Sequence, residues 1–354
     1  MREIRAGLLG ATGAVGQRYI NMLSKHPYIR LEVLMGGESA GKKYGEAVDW
    51  LFAEQIPERF VSQIVREAKP ESAKDCDVVF SALPSEVAKQ VEPKFAESGF
   101  SIVSEASAHR MEADVPLMIP EVNPEHLKLL RVQRKRRGWK RGIVTTPNCT
   151  VTGLALVMKP LVEEFSARKA IVTTMQALSG AGFPGVSSLT IVENVIPYIQ
   201  NEEEKVVREA KKLLGSLRNG TVSPHDIPLG VSCNRVPVID GHMETLYCEF
   251  AEAVSAARVV DALETFRGVP QELKLPTAPE RPILVRKEKD RPQPRLDRMA
   301  GTVPGMSVVV GRVRQGIDER SVQLTLLSHN TVRGAAGTAI LTAELMQAEG
   351  YLER

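Results

Sequence analysis

From Ile4 to about Thr146 the chain alternates short, β-rich apolar runs with stretches of helical period. This rhythm limits the fold more than any other feature, because parallel strands need long crossovers and these crossovers have helical patterning. The reading is an α/β unit, a doubly wound parallel sheet with helices on both faces, with strands near 4–9, 31–35, 77–81, 101–104 and 143–146. After Cys149 the texture changes to long strand-like runs at 167–177, 230–240 and 306–315, interrupted by two or three helices. That predicts an α+β unit with a mixed, largely antiparallel sheet. Residues 270–304 hold seven of the 22 prolines, so they run extended over the surface, into a subunit contact or as an interdomain linker. The last 25 residues have an Ala/Leu-rich helical period and predict a closing helix that fits either unit.

A chain of 354 residues with 43% hydrophobic content suggests two domains with ample cores. Lys and Arg total 46 against 43 Asp and Glu, a formal charge of +3, so any polyanion partner would have to bind locally. The four cysteines, at 76, 149, 233 and 248, show no CxxC or paired Cys/His spacing, which argues against structural zinc and a disulfide framework. Reduced thiols in the cytoplasm are the expectation, and no run of about 18 apolar residues suggests a membrane span.

Gly10-Ala11-Thr12-Gly13-Ala14-Val15-Gly16 follows the first strand and opens a helix. Glycines there let backbone approach a pyrophosphate, whose charge is stabilised by free N–H groups and the positive helix end. Glu38, 22 residues after Gly16, suits an unphosphorylated ribose, whereas Ser39, Lys42 and Lys43 suit a 2′-phosphate, so NAD and NADP both stay open on these residues. Thr146-Pro147-Asn148-Cys149-Thr150-Val151 ends a strand and begins an apolar-periodic helix. A cysteine at a helix N-terminus is expected to have a lowered pKa and to act as a nucleophile, whereas Cys76, Cys233 and Cys248 lie in or beside apolar strand patterns. His242 follows Asp240-Gly241, a two-residue hairpin signal that would put residues 235, 237, 239, 242 and 244 on one face, with Arg235 and His242 in one pocket. Glu202 and Lys205 share a helix face, as a surface pair or an acid–base pair facing a zwitterionic substrate. Ser179-Gly180-Ala181-Gly182 is a second glycine-rich turn, and seven basic residues between Arg131 and Arg141 surround Trp139. The basic run reads as a solvated helix end, an inter-subunit charge patch or a nucleic-acid contact.

Together, GATGAVGQ, SAGKKYGEAV, EASAHRMEADVPLMIPEVNPEHL, TTPNCTV, QALSGAGFPG, RVPVIDGHMET and SHNTVRGAAG resemble the aspartate-semialdehyde dehydrogenase family, in its archaeal and fungal branch, over essentially the whole chain. The resemblance implies a Rossmann-type unit over residues 1–148 plus the closing helix, about 331–354, and a catalytic and dimerisation unit over 149–330. It implies reversible NADP-linked reductive dephosphorylation of aspartyl phosphate, early in lysine, methionine and threonine synthesis, by a homodimer or homotetramer. Its partners would be a small-molecule substrate and phosphate, not nucleic acid or membrane.

Residue by residue, it implies Cys149 as nucleophile, His242 as acid/base and Gln176 as the group orienting the acyl intermediate. Arg235 matches the substrate carboxylate, Glu202 the amino group, and Lys205, Arg110 and Asn148 the phosphate. Gly10, Thr12, Gly13, Val15 and Gly16 match the pyrophosphate loop, and Ser179, Gly180 and Asn330 the nicotinamide end, while Ser39 and Lys42 stay the candidates for a 2′-phosphate from the loop's own residues. Glu38 stands where the family usually carries an Arg, and Glu105 where it carries the Asn of Ser-Asn-Ala. A malonyl-CoA reductase type resembles the same branch but has no substrate amino group to bind, and Glu202, Lys205 and Asn148 favour the amino-acid substrate. N-acetyl-glutamyl-phosphate reductase shares the chemistry and matches these motifs less well.

Overall fold

A computed structural model describes residues 2–353. Six strands form the first sheet: β1 (Ile4–Leu9), β2 (Ile29–Gly36), β3 (Arg66–Glu67), β4 (Val78–Ser81), β5 (Ser101–Ser104) and β6 (Ile143–Thr145). Their order is β3-β2-β1-β4-β5-β6 and every pairing is parallel. This is the doubly wound α/β sheet expected from the alternation. β1, β4 and β5 are almost wholly buried, in keeping with helices covering both faces.

The second half begins with β7 (Ala167–Gln176), followed by a small hairpin of β8 (Ser216–Arg218) and β9 (Thr221–Ser223). Then come β10 (Leu229–Arg235), β11 (His242–Phe250), β12 (Ile283–Val285), β13 (Val308–Gln315) and β14 (Ser321–Ser328). The second sheet is mixed, in the order β10-β7-β11-β14-β13-β12, with parallel pairs at its two edges and antiparallel pairs between.

The hairpin expected at Asp240-Gly241 does not form. β10 and β11 lie on opposite sides of β7, and residues 236–241 cross over its end, with the carbonyls of Val238 and Ile239 accepting from the N–H groups of Leu178 and Ser179. Gly241 does have positive φ, so the local turn chemistry is real, but β7 takes both strands as its own partners. Ile239, expected on the inner face, is 72% exposed. A two-residue turn with positive φ at both positions occurs instead at Asn219-Gly220, between β8 and β9.

One face of the second sheet packs on helix Cys149–Phe165, whose apolar residues join those of β7, β11 and β14 in a single core. The closing helix, Gly337–Ala348, packs on the first sheet. Its Ala339, Ile340, Leu341, Ala343, Leu345 and Met346 share a core with Ile4, Leu8 and Tyr19. The proline-rich segment is more than a linker: Leu275 enters the first core, while Ile283 enters the second and belongs to edge strand β12. Among the described residues no helix is long and apolar enough to cross a membrane, and no cluster of His, Cys, Asp and Glu suits a metal ion.

Candidate active site

Strand register lays out the inner face of the second sheet in rows. Val231, Val172, Leu246 and Leu324 form an apolar row in contact with the core. The next row is Cys233, Thr174, Glu244 and Leu326, where polar groups begin. Arg235 pairs with Gln176, and His242 with Ser328, at the strand ends. Residues two apart on a strand share a face, so this face grades from oil to chemistry over about 14 Å.

Helix Cys149–Phe165 points its N-terminus at those strand ends. Asn148 caps it, its Oδ1 accepting from the N–H groups of Thr150 at 2.8 Å and Val151 at 3.4 Å. Cys149 Sγ lies 3.2 Å from His242 Nε2. On the far side of the ring, the Ala177 N–H donates to Nδ1 at 3.0 Å. A nitrogen that accepts carries no proton, so the neutral ring holds its hydrogen on Nε2, facing the sulfur. Burial, then Arg235 and His329, pushes the His242 pKa down to about 3.

The lowered thiol pKa expected from the helix start is not what the surroundings impose. Burial, with Glu202 acting in the same direction, pushes Cys149 up to about 12, against the pull of Arg110, Arg235 and the Thr150 N–H. The resting pair is therefore neutral. The crowding is visible at two glycines: a Cβ on Gly334 would lie 2.8 Å from Cys149 Cβ, and one on Gly180 would lie 2.9 Å from both Arg235 Nη1 and His242 Cε1.

Glu202 begins helix Glu202–Leu213, and its Oε1 accepts from Asn148 Nδ2 and Gln176 Nε2, both at 2.9 Å. Gln176 Oε1 accepts in turn from Thr174 Oγ1 at 3.0 Å. Arg235 Nη1 donates to the Ala177 carbonyl at 2.6 Å, the residue whose N–H holds His242. Arg110, Asn148, Cys149, Gly180, Glu202, Lys205 and Arg235 line one cleft of about 510 Å³. The structure thus brings Cys149, His242, Gln176, Arg110, Asn148, Glu202, Lys205 and Arg235 together, although the hairpin expected to join two of them is absent.

The residues expected at the cofactor lie in the turn after β1, in the loop after β2 and around Ser179 and Asn330. Gly10 has φ of +76°, and a Cβ there would come within 2.6 Å of the Ala82 carbonyl, while one on Gly16 would collide with the Gly10 carbonyl. Thr12, Gly13 and Val15 complete the turn into helix Ala14–Leu23, which has no side-chain cap and no acidic residue in its first turn. Such an open N-terminus suits a pyrophosphate. Glu38 and Lys42 are exposed and Ser39 half-buried in the loop after β2, and Lys43 pairs with Glu46. Asn330 joins two loops, donating to Ser179 Oγ at 2.7 Å and accepting from the Gly241 N–H at 2.9 Å. Glu105 turns to protein partners, its carboxyl accepting from Tyr19 and Thr146 hydroxyls, each at 2.7 Å.

Sequence reasoning missed Glu209, Lys212, Thr174 and Glu244. Glu209 lies two helical turns after Glu202 on the same face, a spacing that could have found it. Glu244 is fully buried with neither carboxyl oxygen hydrogen-bonded, and burial followed by Glu202 raises its pKa well above the usual range. Two of the seven residues of the basic run are engaged within the chain, while Arg131, Lys135, Arg136 and Lys140 are exposed. Arg137 pairs with Asp114 and Glu112 and stacks on Trp139, while Arg141 donates to the Tyr351 carbonyl.

Two family models match the chain: the semialdehyde dehydrogenase NAD binding domain over residues 5–130 and the semialdehyde dehydrogenase dimerisation domain over 158–333. An aspartate-semialdehyde dehydrogenase of Archaeoglobus fulgidus is 53% identical over 96% of this chain and 97% of its own. A malonyl CoA reductase (NADP) of Metallosphaera sedula is 44% identical over 100% and 99%. The crystal structure of aspartate semialdehyde dehydrogenase with NADP from Candida albicans superposes with a TM-score of 0.91 at 41% identity, covering 99% of each chain.

Proposed function

The chain belongs to the semialdehyde dehydrogenase family, and from that premise we propose that it catalyses the reversible, NADP-linked reductive dephosphorylation of L-4-aspartyl phosphate to L-aspartate 4-semialdehyde. This oxidoreductase step serves lysine, methionine and threonine biosynthesis. The observation that carries the reading is the 3.2 Å approach of Cys149 Sγ to His242 Nε2, at a helix start beside a cleft lined by Arg110, Lys205, Glu202 and Arg235.

In the oxidative direction Cys149 sulfur adds to the aldehyde carbon as His242 gives its Nε2 proton to the carbonyl oxygen and takes the thiol proton in its place. A doubly protonated ring would set an Nδ1–H against the Ala177 N–H beside Arg235, so the ring passes the proton on at Nε2 and stays neutral. The Cys149 N–H and its helix-start neighbours face the oxyanion. Arg235 takes the substrate carboxylate and Glu202 its amino group, with Gln176 orienting the acyl thioester on Cys149. Inorganic phosphate, held by Arg110, Asn148 and Lys205, attacks that thioester and releases the acyl phosphate.

Gly10, Thr12, Gly13, Val15 and Gly16 hold the NADP pyrophosphate, Ser39 and Lys42 its 2′-phosphate, and Ser179, Gly180 and Asn330 the nicotinamide end. Bound NADP supplies the hydride acceptor. The open face of the second sheet, where Ile171 is 49% exposed, supports pairing with a second copy, as a homodimer or a tetramer built from it. The enzyme works in the cytoplasm without nucleic acid or membrane.

Cys149→Ala tests the reading. Phosphate-dependent oxidation of aspartate semialdehyde disappears while NADP still binds, and near-normal turnover would overturn the assignment. A malonyl-CoA reductase, the second reading suggested by the Metallosphaera relative, would reduce malonyl-CoA in the parallel assay. The amide and carboxylate contacts around Glu202 favour the amino-acid substrate.

A further inference from the structure

Helix Glu202–Leu213 presents four charged residues on one face, at 202, 205, 209 and 212, a spacing of one side every three to four residues. The first two line the cleft. The second two are buried behind it, at 2% and 5% exposure. Glu209 Oε1 accepts from Arg110 Nη1 at 3.1 Å, and its Oε2 from the Asn148 N–H at 2.6 Å. Lys212 Nζ donates to three carbonyls of one loop, those of Arg110 at 2.6 Å, Glu112 at 2.8 Å and Val115 at 2.9 Å. From its other side that loop is held by Arg137, through Glu112 and Asp114.

We infer that Glu209 and Lys212 are positioning residues that set Arg110, and with it Asn148, at the phosphate subsite. The inference rests on the phosphate reading of Arg110 given above. A carboxylate beside Arg110 opposes the attraction of that arginine for a dianion, so affinity alone gives no reason for Glu209. Geometry does. The guanidinium has five N–H donors, and with Nη1 on Glu209 and Nη2 on the Glu105 carbonyl at 2.6 Å, its plane is fixed while the remaining donors stay free of these two acceptors. The Lys212 ammonium offsets the Glu209 charge and pins the backbone from which Arg110 projects.

Glu112, Asp114 and Glu209 favour the ammonium, whereas burial disfavours it more strongly, lowering Lys212 to about 8. His126, whose pKa Lys212 in turn depresses, and Arg110 are the other charged or titratable groups beside it. Once deprotonated, the amine has two N–H groups for three carbonyls, and one carbonyl is left unpaired. The grip on the Arg110 loop therefore weakens on the alkaline side.

The test is a cycle of Lys212→Gln and Arg110→Ala, reading KM for inorganic phosphate during semialdehyde oxidation. Lys212→Gln should raise that KM about tenfold, as expected for a binding group displaced by a fraction of an ångström, with kcat and the semialdehyde KM within about twofold. In the Arg110→Ala background it should add nothing, because its effect runs through Arg110. Wild type should show phosphate KM rising above about pH 8, and Lys212→Gln should remove that rise. An additive cycle with a large Arg110→Ala effect overturns this inference alone. An unchanged phosphate KM in Arg110→Ala overturns the phosphate reading and the inference with it. If Lys212→Gln does not fold, Glu209→Gln enters the same cycle with the same expected non-additivity, and a flat wild-type profile counts against the role of Lys212.

Discussion

Gly180→Ala probes the active-site geometry with a single methyl. Gly180 sits on the cleft wall without positive φ, so alanine fits the backbone. Its Cβ would stand 2.9 Å from Arg235 Nη1 and from His242 Cε1, and 3.0 Å from Nε2. Restoring ordinary contact near 3.4 Å requires about 0.5 Å of movement, shared between the guanidinium and the ring. The ring is held from behind by the Ala177 N–H and faces Cys149 at 3.2 Å, so it has little room to yield without changing its approach to sulfur.

Because a misplacement of about 1 Å can cost about a hundredfold in rate, half of that should cost about tenfold in kcat. A similar rise in semialdehyde KM is expected from displacing Arg235, the proposed partner of the substrate carboxylate. Overpacking should lower stability by about 1–3 kcal/mol, offset in part by the about 0.4–1 kcal/mol that Gly→Ala gains through the unfolded chain. Steady-state kinetics beside a thermal melt make the separation. A variant with kcat/KM within threefold of wild type and an unchanged melt would refute the claim that this methyl displaces Arg235 or His242.

Arg333 and Glu121 form a bidentate ion pair, 2.8 Å at both contacts, with both side chains fully buried. Arg333→Met should lower stability by about 3–5 kcal/mol in urea unfolding, and Arg333→Met with Glu121→Leu should recover much of it; equal losses in the single and double variants would refute the pairing argument. Glu244, its pKa raised by burial, binds a proton in the folded chain that the unfolded chain has already released. Its contribution is therefore full below the usual carboxyl range and declines as pH rises. Glu244→Gln should gain on wild type in melting temperature between pH 5 and pH 8, and a gap independent of pH would contradict this. Lys42→Ala should raise KM for NADP about two- to fivefold, the range of an exposed ion pair, and leave KM for NAD alone; equal effects on both would separate Lys42 from the 2′-phosphate.

Much of this architecture is legible in local pattern. The five strands expected in the first half all form, because a strand buried on both faces is a continuous apolar run whatever its neighbours. The Asp240-Gly241 hairpin failed for a non-local reason: β7, some 65 residues earlier, takes both flanking strands as partners. At Asn219-Gly220, with no competitor, the same kind of signal made a hairpin. Cys149 could be placed at a helix start from sequence, but the direction of its pKa could not, since that depends on how much protein the fold packs around the sulfur. Glu209 and Lys212 are written as ordinary charged helix residues, and only the docking of that helix buries them.

The closing helix also bears on how the chain is made. It contributes six residues to the core around β1, yet the whole of β7 to β14 separates it in the chain from the sheet it covers. The first sheet can pair its strands once β6 has emerged, but one side of its core stays uncovered until some 190 further residues have been translated. The glycine turn and the surface beneath it therefore mature late, after β7 to β14 are available. A substitution that unseats this helix would strike first at the sheet of β1 to β6, encoded long before it.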